Sequence, residues 1–446
     1  MQASPPAGPV LADSDPGNSR VLFVILFWFA LATSVELWWL DTPARSVTST
    51  GEVLLAAGRI SGMVAGFVLL AQVLLMSRVG WLERGMGSYA LTVWHRELGG
   101  YLVVAVLAHV VLIGVGYGSW SLLIRTRDIL SAFLATGILV GVGVLAIRAI
   151  RRVLPYEAWY FLHLSTYLIL LLSYGHQFAD GQELAGGHFG RWYWTALYAF
   201  VIGCLAWGRV LAPLALNLRH RLVVTEVISE APDMVSIYIG GRRLPELRAR
   251  AGQYFRWRFL TRGCWWQAHP FSLSAAPNGQ WLRLTVKVVG DHTANLARLR
   301  PGVRVFAEGP SGVFTADRRR RYRALLIAGG SGIAPIRALL EDLPDGTVVI
   351  YRARSEDELV FREELEWLAA ERAPGSGSCS ATGTTPGPSG CSPSAGCASW
   401  CPTCAAATCT CAGRKAWCPR RWGRCGGCGY RDGRSILIRS SSEYGR

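Results

Sequence analysis

Long apolar runs fill the first half of this chain, and short alternating runs follow them. Six apolar segments lie near residues 21–40, 53–76, 98–117, 129–147, 159–178 and 193–212. Each is close to the roughly 20 residues that a helix needs to cross the hydrocarbon core of a bilayer. The pattern predicts an all-α bundle of six membrane-spanning helices within residues 20–215. A disordered N-terminus rich in Pro, Ala, Ser and Gly is predicted for residues 1–19.

The periodicity changes at about residue 220. Short runs that alternate apolar and polar residues are separated by Gly, Pro and Asn, and they predict a small antiparallel β-barrel at 218–317. These runs are 221–228, 234–240, 253–259, 281–289 and 304–309. Residues 324–354 then follow the order buried strand, glycine-rich turn, helix, strand. This order predicts the opening of a parallel α/β lobe, which we assign to residues 322–372.

Composition and charge agree with a multi-domain membrane protein. The chain has 446 residues, of which 51% are hydrophobic and 17% charged, and its formal net charge is +16. Arginines at the ends of the apolar segments explain much of this charge, and no nucleic-acid-binding motif is present, so we expect no nucleic-acid partner. Ten arginines flank the ends assigned to the inside and five flank the outside ends. This asymmetry predicts a multi-pass protein of the cell membrane with its C-terminal half in the cytoplasm.

Four histidines inside the apolar segments are the first candidate site. His95 and His109 are 14 residues apart in the third segment, and His163 and His176 are 13 apart in the fifth. Polar rings in a hydrocarbon core are functional candidates by default. Each pair spans roughly 20 Å of helix, and the third and fifth helices are predicted to run in the same direction. This layout suits two haems with two histidine ligands each, stacked through the membrane.

The two spacings differ in helical phase. Fourteen residues fall about 40° short of four full turns, whereas 13 residues fall about 140° short. The fifth helix must therefore tilt, overwind or kink, and Gly175 beside His176 is a place where it can do so. The alternative interpretation is that these histidines only form hydrogen bonds between helices. The remaining His188, His220 and His292 are expected to be solvated, interfacial or surface rings.

Residues 95–112 and 154–176 resemble the bacterial branch of the ferric reductase and NADPH oxidase superfamily. The resemblance covers roughly residues 20–372. It implies that His95 and His163 hold an inner haem b, and that His109 and His176 hold an outer one.

The barrel carries the string HPFSLSAAP at 269–277. By the same resemblance, His269, Pro270, Phe271 and Ser272 bind FAD, and Ser272 lies nearest the reactive nitrogen and is the candidate catalytic residue. The segment 286–293 resembles the pyrophosphate-side element of the family. There Lys287, Gly290 and Thr293 supply charge, close backbone approach and a hydroxyl group. EGPSG at 308–312 matches the turn that closes the barrel.

The turn GGSGIAP at 329–335 is the candidate nicotinamide dinucleotide site. A glycine-rich turn before a helix lets the backbone approach a pyrophosphate, and its position behind a flavin barrel strengthens this weak motif. The cofactor-binding residues assigned here are Gly329, Gly330, Gly332, Ile333 and Pro335. Arg352 and Arg354 follow the next strand, where they can bind a 2′-phosphate or remain solvated, so NADPH is favoured slightly over NADH.

The predicted function is electron transfer from NAD(P)H through FAD and two haems to an acceptor across the membrane. Ferric chelates and dioxygen are both candidate acceptors, because the motifs do not distinguish them. A haem-carrying membrane subunit that is fed by a separate reductase is the alternative. A flavoprotein with purely structural histidines is the third hypothesis.

The segment 373–446 does not follow the pattern of the preceding lobe. It is rich in Cys, Arg and Gly, it has no apolar period, and it contains ten of the twelve cysteines. The Cys-Gly-Pro element expected from the family is absent, since Cys418 is followed by Pro419 and Arg420. We favour a shifted reading frame that begins near residue 373, and translation of the coding DNA in the other two frames tests it. Such a shift leaves the nucleotide lobe partial and the chain impaired.

A metal site in this segment is the other interpretation. Cys401-x2-Cys404 and Cys425-x2-Cys428 have the spacing of a zinc ribbon, and an iron–sulfur site is the second alternative. The three cysteines between these pairs and the absence of hairpin patterns argue against both.

Overall fold

The chain forms two compact units. The computed structural model describes residues 16–41, 47–118, 127–180, 188–353, 355–371 and 435–440. The first unit comprises Met1–Arg221 together with Phe306–Val313, and the second comprises Leu222–Val305 together with Phe314–Arg446.

The first unit is helical. Its helices are α1 (Pro16–Asp41), α2 (Thr50–Leu75), α3 (Gly80–Met86), α4 (Ser88–Gly116), α5 (Arg127–Ala146), α6 (Arg148–Arg151), α7 (Tyr156–Leu164), α8 (Thr166–Asp180), α9 (His188–Ala206) and α10 (Ala212–His220), with a π-helical turn at Trp207–Leu211 joining the last two. Among the described residues, five helical stretches are long and apolar enough to cross a membrane: Asn18–Glu36, Thr50–Leu75, Ser88–Gly116, Ile129–Ala146 and Phe189–His220.

The fifth apolar segment is broken into two helices. α7 ends at Leu164 and α8 begins at Thr166, so neither piece alone has the length of a membrane span. Six spanning helices therefore remain a prediction, of which the structure supplies five as continuous helical stretches.

The core of the first unit is centred on α2. Phe67, Leu70 and Val73 are buried together with Leu102 of α4 and Trp194 of α9. The outward surface is also apolar, and the side chain of Phe29 on α1, for example, is 70% exposed. Large exposed apolar surfaces are unusual on soluble monomers and are expected where lipid covers a protein.

Two three-stranded sheets follow the helices along the chain, and all of their strands lie in the second unit except the part of the last strand that begins at Phe306. Their strands are β1 (Val223–Ala231), β2 (Met234–Gly240), β3 (Tyr254–Phe259), β4 (His269–Ser272), β5 (Leu282–Lys287) and β6 (Val305–Ser311), and a short helix, α11 (Asp291–Ala297), precedes β6. The strand orders are β1-β2-β5 and β4-β3-β6. β1–β2, β2–β5 and β3–β4 are antiparallel pairs.

Isolated bridges connect the two sheets at both edges. Val223 pairs with Arg304 beside β6, and Leu273, directly after β4, pairs with Leu284 of β5. A closed barrel at 218–317 remains a prediction. On β3 every second side chain is buried, namely those of Phe255, Trp257 and Phe259.

A parallel sheet follows. Its strands are β7 (Leu325–Gly329), β8 (Val348–Ala353) and β9 (Ser435–Ser440), and its helices are α12 (Ile333–Leu340) and α13 (Arg362–Glu371). The strand order is β7-β8-β9, and both pairs are parallel. β9 lies in the segment expected to be aberrant, so at least six of its residues join the lobe. The four cysteines of the two Cys-x2-Cys pairs lie outside the described residues, and the frameshift stays a prediction.

Candidate functional site

The four membrane histidines form two pairs. The ring centroids of His95 on α4 and His163 on α7 are 5.9 Å apart with an interplanar angle of 81°. Those of His109 on α4 and His176 on α8 are 6.3 Å apart at 58°. A metal–imidazole bond is about 2.0 Å long and the centroid lies about 1 Å behind the nitrogen, so two rings that ligate one metal ion have centroids about 6 Å apart. Both pairs fit this spacing.

A helix break between His163 and His176 brings both rings to α4. The backbone N–H of Ser165 donates to Leu162 O, and that of Leu168 donates to Ser165 O at 2.9 Å, both i to i−3. Hydrogen bonds of this 3₁₀ type add about 20° of rotation per residue. They therefore recover only part of the roughly 140° by which 13 residues fall short of four turns, and the helix break supplies the rest. The break lies at Ser165 and not at Gly175, which is inside α8.

The outer pair has a defined hydrogen-bond partner. Nδ1 of His109 lies 2.7 Å from the carbonyl oxygen of Gly58 on α2. Because a carbonyl only accepts, Nδ1 carries the proton and Nε2 keeps its lone pair, which is the tautomer that a metal ligand needs.

The inner pair is held differently. Nδ1 of His95 and Nδ1 of His163 are buried and have no hydrogen-bond partner among the described residues. The amide of Gln72 on α2 donates to the carbonyl oxygen of His95 at 2.9 Å, which fixes the backbone of α4 at this ring. The indole of Trp159 stacks on His163 with centroids 5.0 Å apart. Buried ring nitrogens without a partner fit a pair of rings that binds a ligand.

Glycines on α2 create the space beside His109. A Cβ atom on Gly62 would lie 2.6 Å from Nδ1 of His109, and one on Gly58 would lie 2.9 Å from the Ile113 side chain. A cavity of about 290 Å³ opens beside these contacts, lined by His109, His176 and mainly apolar side chains of α2, α4, α5, α8 and α9. Its volume is near the lower end of the roughly 300–1,000 Å³ of small-molecule sites. Among the described residues no group of three or more His, Cys, Asp or Glu can hold a metal ion.

The predicted flavin strand is β4 itself. His269 pairs with Trp257 of β3, and Ser272 pairs with Tyr254. The indole N–H of Trp257 donates to the carbonyl oxygen of Phe271 at 3.1 Å and holds the strand in register. The four flavin-strand residues thus lie side by side on one extended strand, as an approach by the backbone requires.

His269 stacks on His292 with ring centroids 3.8 Å apart. His292 is half-buried, and its Nδ1 has no hydrogen-bond partner among the described residues, so the ring is not the freely solvated surface ring that was expected. Burial, and after it the charge of the neighbouring His292, lower the pKa of His269 to about 4. His220 is only 4% exposed, so its ring is not solvated, while its interfacial position at the end of a spanning-length helix stays a prediction. Nothing is described of the His188 side chain.

The pyrophosphate-side residues follow β5. Nζ of Lys287 lies 2.9 Å from an Asp233 carboxylate oxygen. Oγ1 of Thr293 accepts from the backbone N–H groups of Val289 and Gly290 at 2.9 and 3.1 Å. Thr293 therefore shapes the turn by bonding to the chain itself, and a Cβ on Gly290 would meet no atom within 4 Å.

The glycine-rich turn joins β7 to α12. Gly330 has a φ of 51°, in the left-handed region that favours glycine. A Cβ on Gly329, Gly330 or Gly332 would meet no atom within 4 Å, so the turn faces open space. Ile333 and Pro335 begin α12. Arg352 on β8 is exposed and pairs in register with Gly329, while Arg354 lies outside the described residues.

An ion-pair network that sequence reasoning missed lies between the flavin strand and the glycine-turn helix. Arg283 on β5 makes two bonds to the Glu364 carboxylate, at 2.8 and 2.9 Å, and one to Ser274 O at 2.8 Å. Arg337 on α12 bonds both Glu364 and Glu341, and Glu341 accepts from the backbone N–H of Ala276 at 2.9 Å.

The charges in this network stabilise one another. Burial acts against the charged form of Arg283, yet the hydrogen bond and charge of Glu364 raise its pKa. Burial also acts against the charged form of Glu364, yet Arg283 and Arg337 lower its pKa. No local signal could reveal this network, because Arg283 and Glu364 are 81 residues apart.

Two family models match the chain in this order. Residues 61–174 match "Ferric reductase like transmembrane component", and residues 221–314 match "FAD-binding domain".

Known proteins match parts of the chain. Ferredoxin–NADP reductase B of Sorangium cellulosum is 35% identical over 107 residues, which are 22% of this chain and 44% of that protein. NADPH oxidase 1 of Mus musculus is 24% identical over 157 residues, which are 31% of this chain and 25% of that protein. Dual oxidase 2 of Homo sapiens is 25% identical over 134 residues, which are 28% of this chain and 9% of that protein. The chain therefore spans less than half the length of these relatives.

A solved structure, a ferredoxin NADP+ reductase from Neisseria gonorrhoeae with bound FAD and NADP, is 21% identical. The aligned part covers 34% of this chain and 65% of the reductase chain, and the TM-score is 0.31.

A helical unit with spanning-length helices, which matches the ferric reductase model, is thus followed by sheets that match the FAD-binding model. The two models and the oxidase relatives confirm the resemblance to the ferric reductase and NADPH oxidase superfamily.

Proposed function

We propose that this protein passes electrons from NAD(P)H through FAD and two bis-histidine haems to ferric chelate or dioxygen across the cell membrane. The observation that supports the proposal most is the pairing of the four histidine rings at 5.9 and 6.3 Å. When bound, the flavin splits a two-electron donor into single electrons and the haems conduct them one at a time.

The residues of the chain bind and orient these groups. His95 with His163, and His109 with His176, supply the axial nitrogens, and Gly58 holds the His109 proton on Nδ1. β4 presents its backbone and the Ser272 hydroxyl to the flavin. Lys287 and Thr293 are close in sequence, and together they bind the phosphates of the FAD. The open glycine turn at 329–332 receives the dinucleotide pyrophosphate at the start of α12. On this proposal the second unit faces the cytoplasm.

Haem content of histidine variants tests the pairing. His95→Ala and His163→Ala should each lose the same haem, and His109→Ala and His176→Ala the other, as seen in reduced-minus-oxidised spectra of purified protein. His292→Ala, a histidine outside the membrane unit, is the matched control and should keep both haems. Full pigment in all four membrane variants would falsify the assignment.

The alternative function is a haem-binding membrane subunit fed by a separate reductase. The segment 372–434, which lies between α13 and β9, gives this alternative its support, because a nucleotide lobe needs more elements than those described. Anaerobic addition of NADPH separates the two functions. Flavin bleaching followed by haem reduction supports the first, and haem that is reduced by dithionite but not by NADPH supports the second. Ferric citrate or oxygen is then added to identify the acceptor.

A further inference from the structure

A dense run of arginines begins shortly after the last barrel strand. Five of the six residues from Arg318 to Arg323 are arginine, and the chain has no Asp or Glu between Asp317 and Glu341. Arg319, Arg320, Arg321 and Arg323 are exposed. The remaining residue, Tyr322, is 67% exposed, and the guanidinium carbon of Arg319 lies 5.7 Å from the centroid of its ring.

This run follows a segment of the first unit by only a few residues along the chain. Phe306–Val313 belongs to the first unit, and the side chain of Val313 lies 3.4 Å from the position that a Cβ on Gly87 would take. Gly87 separates α3 from α4 and lies near Arg78 and Arg84, two arginines of an end assigned to the inside. Arg319 follows Val313 by six residues, which can span at most about 21 Å. The run is thus tethered near the predicted inner surface of the membrane.

We propose that Arg319–Arg323 binds the headgroup phosphates of anionic phospholipids in the inner leaflet. The inference rests on the orientation given under the proposed function. Arginine binds phosphate oxygens through two parallel N–H groups, and polybasic segments next to a membrane are attracted by its negative surface potential. Tyrosine is favoured at the membrane–water interface, which gives the exposed Tyr322 ring a place there. Docking of this segment anchors the start of β7 at the membrane.

Hydrogen–deuterium exchange in nanodiscs tests the proposal on the full chain. We compare discs of phosphatidylcholine alone with discs that contain about 30% phosphatidylglycerol, a level that gives a clearly negative surface. Amides of residues 318–324 should exchange about tenfold more slowly in the anionic discs, and about 1 M salt should remove the difference because the Debye length falls to about 3 Å. Amides of β5 should exchange equally in both discs and report on folding.

Variants make the test specific. In a triple variant that combines Arg319→Gln, Arg320→Gln and Arg321→Gln, the amides of residues 318–324 should exchange equally fast in both kinds of disc. The matched control, Arg242→Gln with Arg243→Gln, removes two exposed arginines from another loop of the same unit and should keep the difference. Equal exchange of the unaltered chain in both discs overturns the proposal. Protection produced by NADPH in phosphatidylcholine discs also overturns it, since the run would then bind a nucleotide phosphate. These measurements need no electron transfer, so loss of the proposed function leaves their outcome unchanged.

Discussion

His109 donates its Nδ1 proton to the carbonyl oxygen of Gly58 across 2.7 Å, and this bond connects α4 to α2 inside the first unit. The two helices approach this closely because α2 presents glycine at positions 58 and 62, opposite Ile113 and His109 of α4. Small residues at four-residue spacing are a common device for close helix packing in membranes. The bond fixes the ring and its tautomer before any metal is bound.

Replacing Gly62 with Ala should remove the outer haem. The added methyl group would lie 2.6 Å from Nδ1 of His109, so the ring must turn and its bond to Gly58 must break. Loss of such a supporting bond lowers metal affinity about 10- to 100-fold. Pyridine haemochrome assays should find one haem per chain instead of two.

The control for this variant is Gly137→Ala on α5, where a Cβ would meet no atom within 4 Å. It should keep both haems. A Gly62→Ala protein with two haems and unchanged spectra would show that the contact does not organise the outer site.

Lys287→Met should weaken FAD binding about 10- to 100-fold, because a charge-assisted hydrogen bond to phosphate contributes about 1.5–3 kcal/mol. Asp233→Asn should bind FAD at least as tightly as the unaltered chain, since it frees the ammonium group that Asp233 now pairs with at 2.9 Å. Flavin fluorescence titration of the apoprotein measures both. If both variants weaken FAD binding equally, the site depends on the Lys287–Asp233 ion pair, and the role of Lys287 as a phosphate ligand is contradicted.

Glu364→Gln should lower the free energy of unfolding of the second unit by about 2–4 kcal/mol. Arg283 has a side chain only 4% exposed and would lose its charged partner, and the cost is somewhat below that of a fully buried pair because Glu364 is 33% exposed. Guanidinium denaturation followed by tryptophan fluorescence measures the change. The control is Glu366→Gln, which removes an exposed pair with Arg362 and should cost less than about 1 kcal/mol. Equal costs for the two variants would contradict the importance of the network.

Acid should destabilise the apoprotein of the second unit through His269. Its folded pKa is about 4, whereas the unfolded value is 6.5, so the unfolded state binds more protons between these two pH values. The stability that His269 contributes is therefore complete above pH 6.5 and is lost as the pH falls towards 4, with no further change below. His269→Gln should show a smaller drop in melting temperature between pH 7 and pH 5. An identical drop in both proteins would mean that other groups carry the acid sensitivity.

The sequence by itself determined the elements that depend on local pattern. The apolar segments correspond to α1, α2, α4, α5, the α7–α8 pair and the α9–α10 stretch, because the length of an apolar run is a property of consecutive residues. The period-two strands and the glycine turn were likewise predicted, and so was the order of the flavin and dinucleotide elements.

Only the tertiary structure decided how distant residues meet. The break at Ser165 restores the phase that a spacing of 13 residues lacks, and the packing of α2 on α4 places the His109 proton on Nδ1. The stacking of His292 on His269 and the bonds from Arg283 to Glu364 join residues of separate elements. Contacts of this kind depend on how helices and strands rotate and pack against one another, and no periodicity within a single element records that rotation.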